Sequence, residues 1–119
     1  MTDTPATSVD RTRLEALADE IGDRDIVHQA VQSFLDELVE RLQAIRTAIA
    51  GGDPAVIKKA AHALGSPAAM LGAQQVMRIC RDMEARCEVG TEILSGLMAD
   101  LDAAAAQTVS ELRGYLDGR

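Results

Sequence analysis

Apolar residues recur every three or four positions along most of this chain, which is the spacing that lines one face of an α-helix. One long run extends from Val27 to Ile49, and the two glycines at 51–52 that follow it favour a helix end. Its members are Val27, Val31, Phe34, Leu38, Leu42, Ile45 and Ile49. We therefore expect a long helix here, capped at its start by the side chain of Asp23 or Asp25.

Capping signals place two further helices around this long one. A helix before it begins near Ser8 or Asp10, where a short polar side chain can accept a backbone N–H, and ends at Gly22. A helix after it is capped by Asp53 and has Pro54 at its first position, where a missing N–H costs nothing.

Two more helices complete the pattern in the second half of the chain. One begins after Gly72 and ends at Gly90, and the other is capped by Thr91. Their apolar positions are Ala73, Val76, Met77, Cys80, Met83 and Cys87 in the first and Leu94, Leu97, Met98, Leu101, Ala105, Leu112 and Leu116 in the second. Long helices joined by short connections predict an all-α fold, an antiparallel four-helix bundle with an additional short N-terminal helix.

A single domain is expected, because 119 residues suffice for one core and no internal repeat or second domain is visible. Residues 1–7 are polar and interrupted by Pro5, and we expect them to be a disordered lead-in to a helical domain at 8–119. Six residues are predicted to lie in the bundle interior: Leu38, Leu42, Leu64, Met77, Cys80 and Leu101.

Composition and charge agree with an all-α fold and exclude some kinds of binding partner. Hydrophobic residues are 47% of the chain but aromatic residues only 2%, as in helical proteins rich in alanine and leucine. The net charge of −7 argues against nucleic acid or an anionic membrane as a partner. No apolar run approaches the length of a membrane span and no secretion signal is visible, so a cytoplasmic location is expected. In that reducing compartment Cys80 and Cys87 are expected to be free thiols.

The candidate for chemistry is His62, in the middle of the third helix. At about 100° per residue, Ile57 and Leu64 share an apolar arc, whereas His62 lies about 140° from Ile57. The arc that carries the histidine also carries Lys58 and Lys59 one turn earlier. The imidazole is therefore predicted to face solvent, beside two cations that can attract an anion.

A run of small residues follows this histidine along the chain. The run reads His62-Ala63-Leu64-Gly65-Ser66-Pro67-Ala68-Ala69-Met70-Leu71-Gly72-Ala73, with Cys80 and Met83-Glu84 after it and Gly51-Gly52-Asp53 before it. The pattern resembles the histidine phosphotransfer (Hpt) domain family, whose motif is His-x-Leu-Lys-Gly, small residues, Leu-Gly-Ala and later Cys-x-x-Leu-Glu. A "Gly-Asp" turn precedes the histidine in that family too, and the resemblance extends from the first helix to the last.

The resemblance implies that His62 carries a phosphoryl group, as a phosphoramidate, to and from aspartates of response-regulator receiver domains in a two-component phosphorelay. A receiver domain is then the expected partner, with a histidine kinase as a second candidate. The family draws its metal ion and catalytic aspartates from the receiver. This chain is therefore expected to be a carrier rather than an enzyme, a monomer with no cofactor or metal of its own. It is expected to dock through Ala63, Pro67, Met70 and exposed parts of the first helix.

Three departures from the family motif bear on this interpretation. Gly65 stands where the family has a lysine that steadies the phosphoryl group, and Ser66 stands where it has glycine. Pro67 removes a backbone donor, so a kinked or locally unwound helix is expected just after the histidine. Either Lys58 or Lys59 replaces the missing lysine, or the chain is a phosphate-incompetent interaction module that binds a receiver or kinase.

Glu84 and His28 are the remaining candidates for a role. The family often has Gln or Glu at the position of Glu84, close enough to bond the imidazole nitrogen that carries no phosphate and so to fix the tautomer. The alternative is an ordinary boundary carboxylate paired with Arg81 or Arg86. His28 lies on the polar side of the second helix and is expected to be only a surface residue.

Overall fold

Five helices account for most of residues 7–118, the part of the chain that the computed structural model describes. They are α1 (Arg11–Ile21), α2 (Arg24–Gly51), α3 (Pro54–Met70), α4 (Gln74–Ala85) and α5 (Thr91–Leu116). Because α2 and α4 each pack against both α3 and α5, these four close into a bundle, and α1 packs on α2. The predicted all-α bundle with a short N-terminal helix is confirmed. The predicted disordered lead-in lies outside the described residues except for Thr7.

Aspartate side chains start the first three helices. Asp10, Asp23 and Asp53 each accept the backbone N–H of the residue two positions later, at 2.9–3.0 Å. Gly22 and Gly52 end α1 and α2 in the left-handed conformation, with a φ of 77° at both, and glycine adopts this conformation without strain. Local sequence therefore determines these helix ends, as predicted.

The boundary between α4 and α5 differs from the prediction. α4 ends at Ala85 rather than near Gly90, so Cys87 lies in a turn beyond the helix and is only half-buried. Thr91 is the first residue of α5 and not its cap, because Gly90 holds the cap position at a φ of 108° and no side chain bonds the helix start. A positive φ suits glycine, so the turn geometry, and not the capping preference of threonine, decides where α5 begins.

The apolar stripes of the helices meet in one core. Its largest fully buried apolar side chains are Leu14, Val27, Val31, Ile45, Ile57, Leu64, Val76, Cys80, Met83, Leu101 and Leu112. Four of the six residues predicted to be interior are buried, but Leu42 and Met77 are only half-buried. These two lie at the edges of their stripes, roughly 60° and 90° from the centre at 100° per residue, so each keeps one side towards solvent.

Residues 8–10, which we call the N-terminal strap, are a short non-helical segment that fastens two other parts of the bundle together. Asp10 donates its backbone N–H to the carbonyl of Gly72 at 2.8 Å. The carboxylate of Glu111 in α5 accepts the N–H groups of the two residues before Asp10, each at 2.9 Å. The strap therefore bridges the loop after α3 and the C-terminal half of α5, a contact that no sequence pattern indicates.

His28 is more than the surface residue that its polar neighbours suggest. Its ring is half-buried and lies edge-on against Tyr115 of α5, with the two ring centroids 5.1 Å apart. The guanidinium carbon of Arg11 lies 5.9 Å from the centroid of the same tyrosine ring. These three side chains join α1, α2 and α5, so the contacts of His28 are packing contacts between helices.

The burial pattern of α2 predicts a large difference between two neighbouring substitutions. Leu38 is 3% exposed and Val39 is 75% exposed. Leu38→Ala should lower the free energy of unfolding by about 2–5 kcal/mol, because a buried leucine loses both its transfer energy and its contacts. Val39→Ala should change it by less than about 0.5 kcal/mol. Urea denaturation followed by circular dichroism measures both, and equal effects would show that the register assigned to α2 is wrong.

Candidate functional site

α3 carries the candidate histidine and remains helical through Gly65 and Pro67. Pro67 has no N–H to donate to the carbonyl of Ala63 four residues earlier, which is why its presence predicts unwinding. Arg41 of α2 supplies a donor instead, because its Nη1 lies 3.0 Å from that carbonyl oxygen. Of the kinked or locally unwound helix predicted here, the unwinding is wrong, because α3 stays helical to Met70. The contact with Arg41 comes from another helix, which the sequence of α3 alone does not reveal.

His62 faces outwards from the middle of α3. Its side chain is 69% exposed, while Ile57 and Leu64 on the opposite arc of the helix are buried. The orientation predicted from the helical wheel is confirmed. A group in solvent or on a partner protein can therefore approach this ring without any rearrangement of the core.

Glu84 of α4 contacts this ring. Its Oε1 lies 3.1 Å from Nδ1 of His62, and its side chain is only 20% exposed. Within the described part of the chain, Glu84 pairs with neither Arg81 nor Arg86, and Arg86 lies instead 3.6 Å from Asp82. The contact with the imidazole that the sequence suggested for Glu84 is present.

This contact distinguishes the two nitrogens of the ring. A carboxylate only accepts hydrogen bonds, so in the neutral ring Nδ1 of His62 carries the hydrogen and donates it to Glu84. Nε2, across the ring from the contact, then holds the lone pair. The pair of residues offers solvent a nucleophilic nitrogen on a ring whose orientation is held by a partly buried carboxylate.

Gly65, at the position of the family's lysine, is buried where α3 meets α4. A Cβ at this position would lie 3.0 Å from the Cβ of Cys80, so a larger residue would need its neighbour to move by a few tenths of an ångström. Glu84 follows Cys80 by about one helical turn. Gly65 therefore leaves room for Cys80 of α4 and brings none of the charge that a lysine would supply.

Lys58 and Lys59 are the only lysines of the chain, and both are exposed. Their side chains form no hydrogen bond or ion pair with other residues that the structure describes. They precede His62 by about one turn of α3, so an anion at the ring could attract them. The structure itself does not bring them into contact with the imidazole.

A shallow groove between α2 and α3 runs beside the turn after the histidine. Its lining includes Phe34, Glu37, Arg41, Pro67 and Met70. Met70 is 56% exposed, Ala63 is exposed and Pro67 is half-buried. The apolar residues expected to dock a partner therefore lie at the surface, and Glu37 and Arg41 of α2 border them, which the motif around the histidine did not indicate.

The chemistry available to His62 and Glu84 together is nucleophilic attack by Nε2 while the proton on Nδ1 stays in place. Among residues 7–118, no group of three or more His, Cys, Asp and Glu side chains could hold a metal ion. None of the helices in this range is long and apolar enough to cross a membrane.

Comparison with known proteins identifies the family of this chain. The family model of the Hpt domain matches residues 29–117, which take in most of α2 and all of α3, α4 and α5. The chain belongs to the Hpt domain family. Hpt domains are phosphotransfer modules of two-component phosphorelays, where they interact with receiver domains and kinases as carriers rather than catalysts. Neither the curated proteins nor the solved structures that were compared with the chain gave a significant match.

The two free cysteines of this Hpt domain should differ in reactivity. Burial, and to a lesser degree the charge of Glu84, raises the pKa of Cys80 to about 12, so very little of its thiolate is present at pH 8. Cys87 is only half-buried. DTNB at pH 8 should label one thiol quickly in the native protein and the second only in urea, and Cys87→Ser should remove the fast phase. Rapid labelling of native Cys87→Ser would contradict the burial of Cys80.

Proposed function

We propose that this Hpt domain is a histidine-containing phosphotransfer protein that relays a phosphoryl group to and from receiver-domain aspartates, with His62 as the carrier. The observation that carries the proposal is the hydrogen bond between Nδ1 and Glu84 on an otherwise exposed ring. In the neutral ring this bond leaves the lone pair on Nε2, and the exposure of the side chain leaves that nitrogen accessible, as an attacking nucleophile requires. His28 lacks this combination, because it is half-buried against Tyr115.

The imidazole of His62 and the aspartyl phosphate of the receiver supply every group that the transfer step needs. The lone pair of Nε2 attacks the phosphorus of the receiver's aspartyl phosphate. The N–P bond forms as the bond from phosphorus to the aspartate oxygen breaks, and that electron pair leaves with the aspartate carboxylate. The ring then carries positive charge shared with Nδ1–H, which the carboxylate of Glu84 opposes. Because no proton has to leave the ring, the step depends on positioning and charge rather than on an acid–base pair.

The negative charge of the phosphoryl group is met by Lys58 and Lys59 in this proposal. The family's lysine is Gly65 here, and that position is buried against Cys80. Residues three and four positions apart on a helix lie on the same face and can interact. Lysine side chains are long and flexible, so the two lysines can move towards a phosphate that forms one turn away.

The alternative function is a phosphate-incompetent module that binds a receiver or a kinase. One observation favours it, the burial of Gly65 at the position where the family has a cation. The exposed residues Ala63 and Met70 serve either function, since both need a docking surface. The two functions differ in one measurable property, which is a stable phosphoramidate on His62.

We propose that the protein is a monomer located in the cytoplasm. Its proposed partner is a receiver domain, and a histidine kinase is a second candidate. Both cysteines are free, as is usual for thiols in a reducing compartment. The net charge of −7 disfavours nucleic acid and anionic membranes as partners.

Substituting each histidine in turn tests the carrier. After incubation with a receiver domain charged by radiolabelled acetyl phosphate, the wild type and His28→Gln should gain label that is acid-labile and alkali-stable. His62→Gln should gain none, because the attacking nitrogen is lost. It should still unfold at the wild-type urea concentration, since an exposed side chain contributes little to stability.

Two results would contradict this proposal. Acid-labile label on His62→Gln would place the carrier elsewhere in the chain. A wild-type protein that binds the charged receiver in a pull-down but takes no label would establish the alternative, a docking module without phosphotransfer.

Removing both lysines tests their role at the ring. Lys58→Ala/Lys59→Ala should slow transfer to His62, or shorten the lifetime of the phosphohistidine, by several-fold, because exposed charge pairs contribute less than about 1 kcal/mol. The matched control is Arg24→Ala/Arg113→Ala, which removes two exposed cations from α2 and α5. Equal slowing by both double substitutions would show a general effect of net charge on receiver binding.

A further inference from the structure

The turn of α3 that follows His62 contains the two residue types least suited to a helix. Gly65 adds backbone freedom, and Pro67 removes one helical hydrogen bond. The carbonyl that loses its helical partner belongs to Ala63, directly beside the carrier histidine. Since α3 nevertheless remains helical as far as Met70, a group outside this helix holds the turn together.

That group is the guanidinium of Arg41 in α2. Its Nη1 donates to the carbonyl oxygen of Ala63 at 3.0 Å, and its Nη2 donates to Oε1 of Glu37 at 2.9 Å. Only 33% of the arginine side chain is exposed. A hydrogen bond from a charged donor is stronger than one from a neutral N–H, and the second bond, to Glu37, limits the movement of the guanidinium away from α3.

We propose that Arg41 is a positioning residue for phosphotransfer, which replaces the hydrogen bond that Pro67 lacks and keeps the turn after His62 rigid. A rigid turn holds the imidazole against Glu84 and so keeps Nε2 as the attacking nitrogen. Arg41 acts through the backbone of α3 and not on the phosphoryl group. The inference rests on the proposed function of His62 as the carrier.

The proposal requires energetic coupling between positions 41 and 67. With alanine at position 67, the backbone N–H would return to the carbonyl of Ala63 and the donor from α2 would become redundant. Removing Arg41 should therefore matter when Pro67 is present and matter little when it is replaced. A double-mutant cycle measures this dependence directly.

The cycle compares the wild type, Arg41→Ala, Pro67→Ala and the double variant, all unphosphorylated, by NMR. In the proline background, Arg41→Ala should speed hydrogen exchange of the amides at 64–66, 68 and 69 roughly tenfold, the factor expected for one charge-assisted hydrogen bond. In the Pro67→Ala background the change should be under about twofold. The ¹⁵N signals of the His62 ring should shift towards those of Glu84→Ala in Arg41→Ala and return in the double variant.

Phosphotransfer from a charged receiver provides the functional readout. Arg41→Ala should transfer several-fold more slowly than the wild type, and the double variant should recover the rate of Pro67→Ala. The matched control is Arg46→Ala, which removes another arginine of α2, one that forms two 2.9 Å hydrogen bonds with Asp102 of α5. It should leave the ring signals, the exchange at 64–66, 68 and 69 and the transfer rate unchanged.

The outcomes separate this inference from the function on which it rests. Equal effects of Arg41→Ala in both backgrounds, or no effect on exchange and ring signals, would overturn the positioning role while leaving the carrier intact. If the wild type accepts no phosphoryl group but exchange and ring signals follow the predicted coupling, the proposed function fails and the support of α3 by Arg41 stands.

Discussion

The close approach of α3 and α4 is the constraint on which the candidate site depends. At the contact, a Cβ on Gly65 would lie 3.0 Å from the Cβ of Cys80, a tight approach that glycine avoids at this separation of the two helices. The separation in turn sets how far Glu84 of α4 must reach to touch His62 of α3. Position 65 thus packs closely against Cys80 and supplies no charge to an anion at the ring.

An exposed imidazole has to be held in one orientation without the packing that orients a buried side chain. His62 is 69% exposed, whereas its hydrogen-bond partner Glu84 is 20% exposed. Because the partner is the better buried of the two, it loses less freedom when the bond forms and acts as the fixed member of the pair. Arg41 is also a partly buried charged side chain that contacts α3 from a neighbouring helix, but it bonds the backbone of α3 rather than the ring.

The parts of this fold that could be predicted from sequence depend on neighbours within one turn. Caps such as Asp53 and the 3.6-residue periodicity are local, and so the helices, the exposure of His62 and most of the core were predictable. The intact turn at Pro67 was not, because the compensating donor comes from another helix 26 positions earlier. The packing role of Gly65 could not be predicted for a related reason. The motif shows that a lysine is missing, but it does not show which residue of another helix lies against that position.

The N-terminal strap lies outside the segment that the family model matches but bonds to residues within it. The family match begins at residue 29, yet residues 8–10 bond both the loop that ends α3 and the carboxylate of Glu111 in α5. A fragment trimmed to the matched segment would keep every residue of the histidine motif and lose a tie across the end of the helix that carries it. In this chain the bonds that fasten the loop after α3 therefore extend beyond the segment that the family model matches.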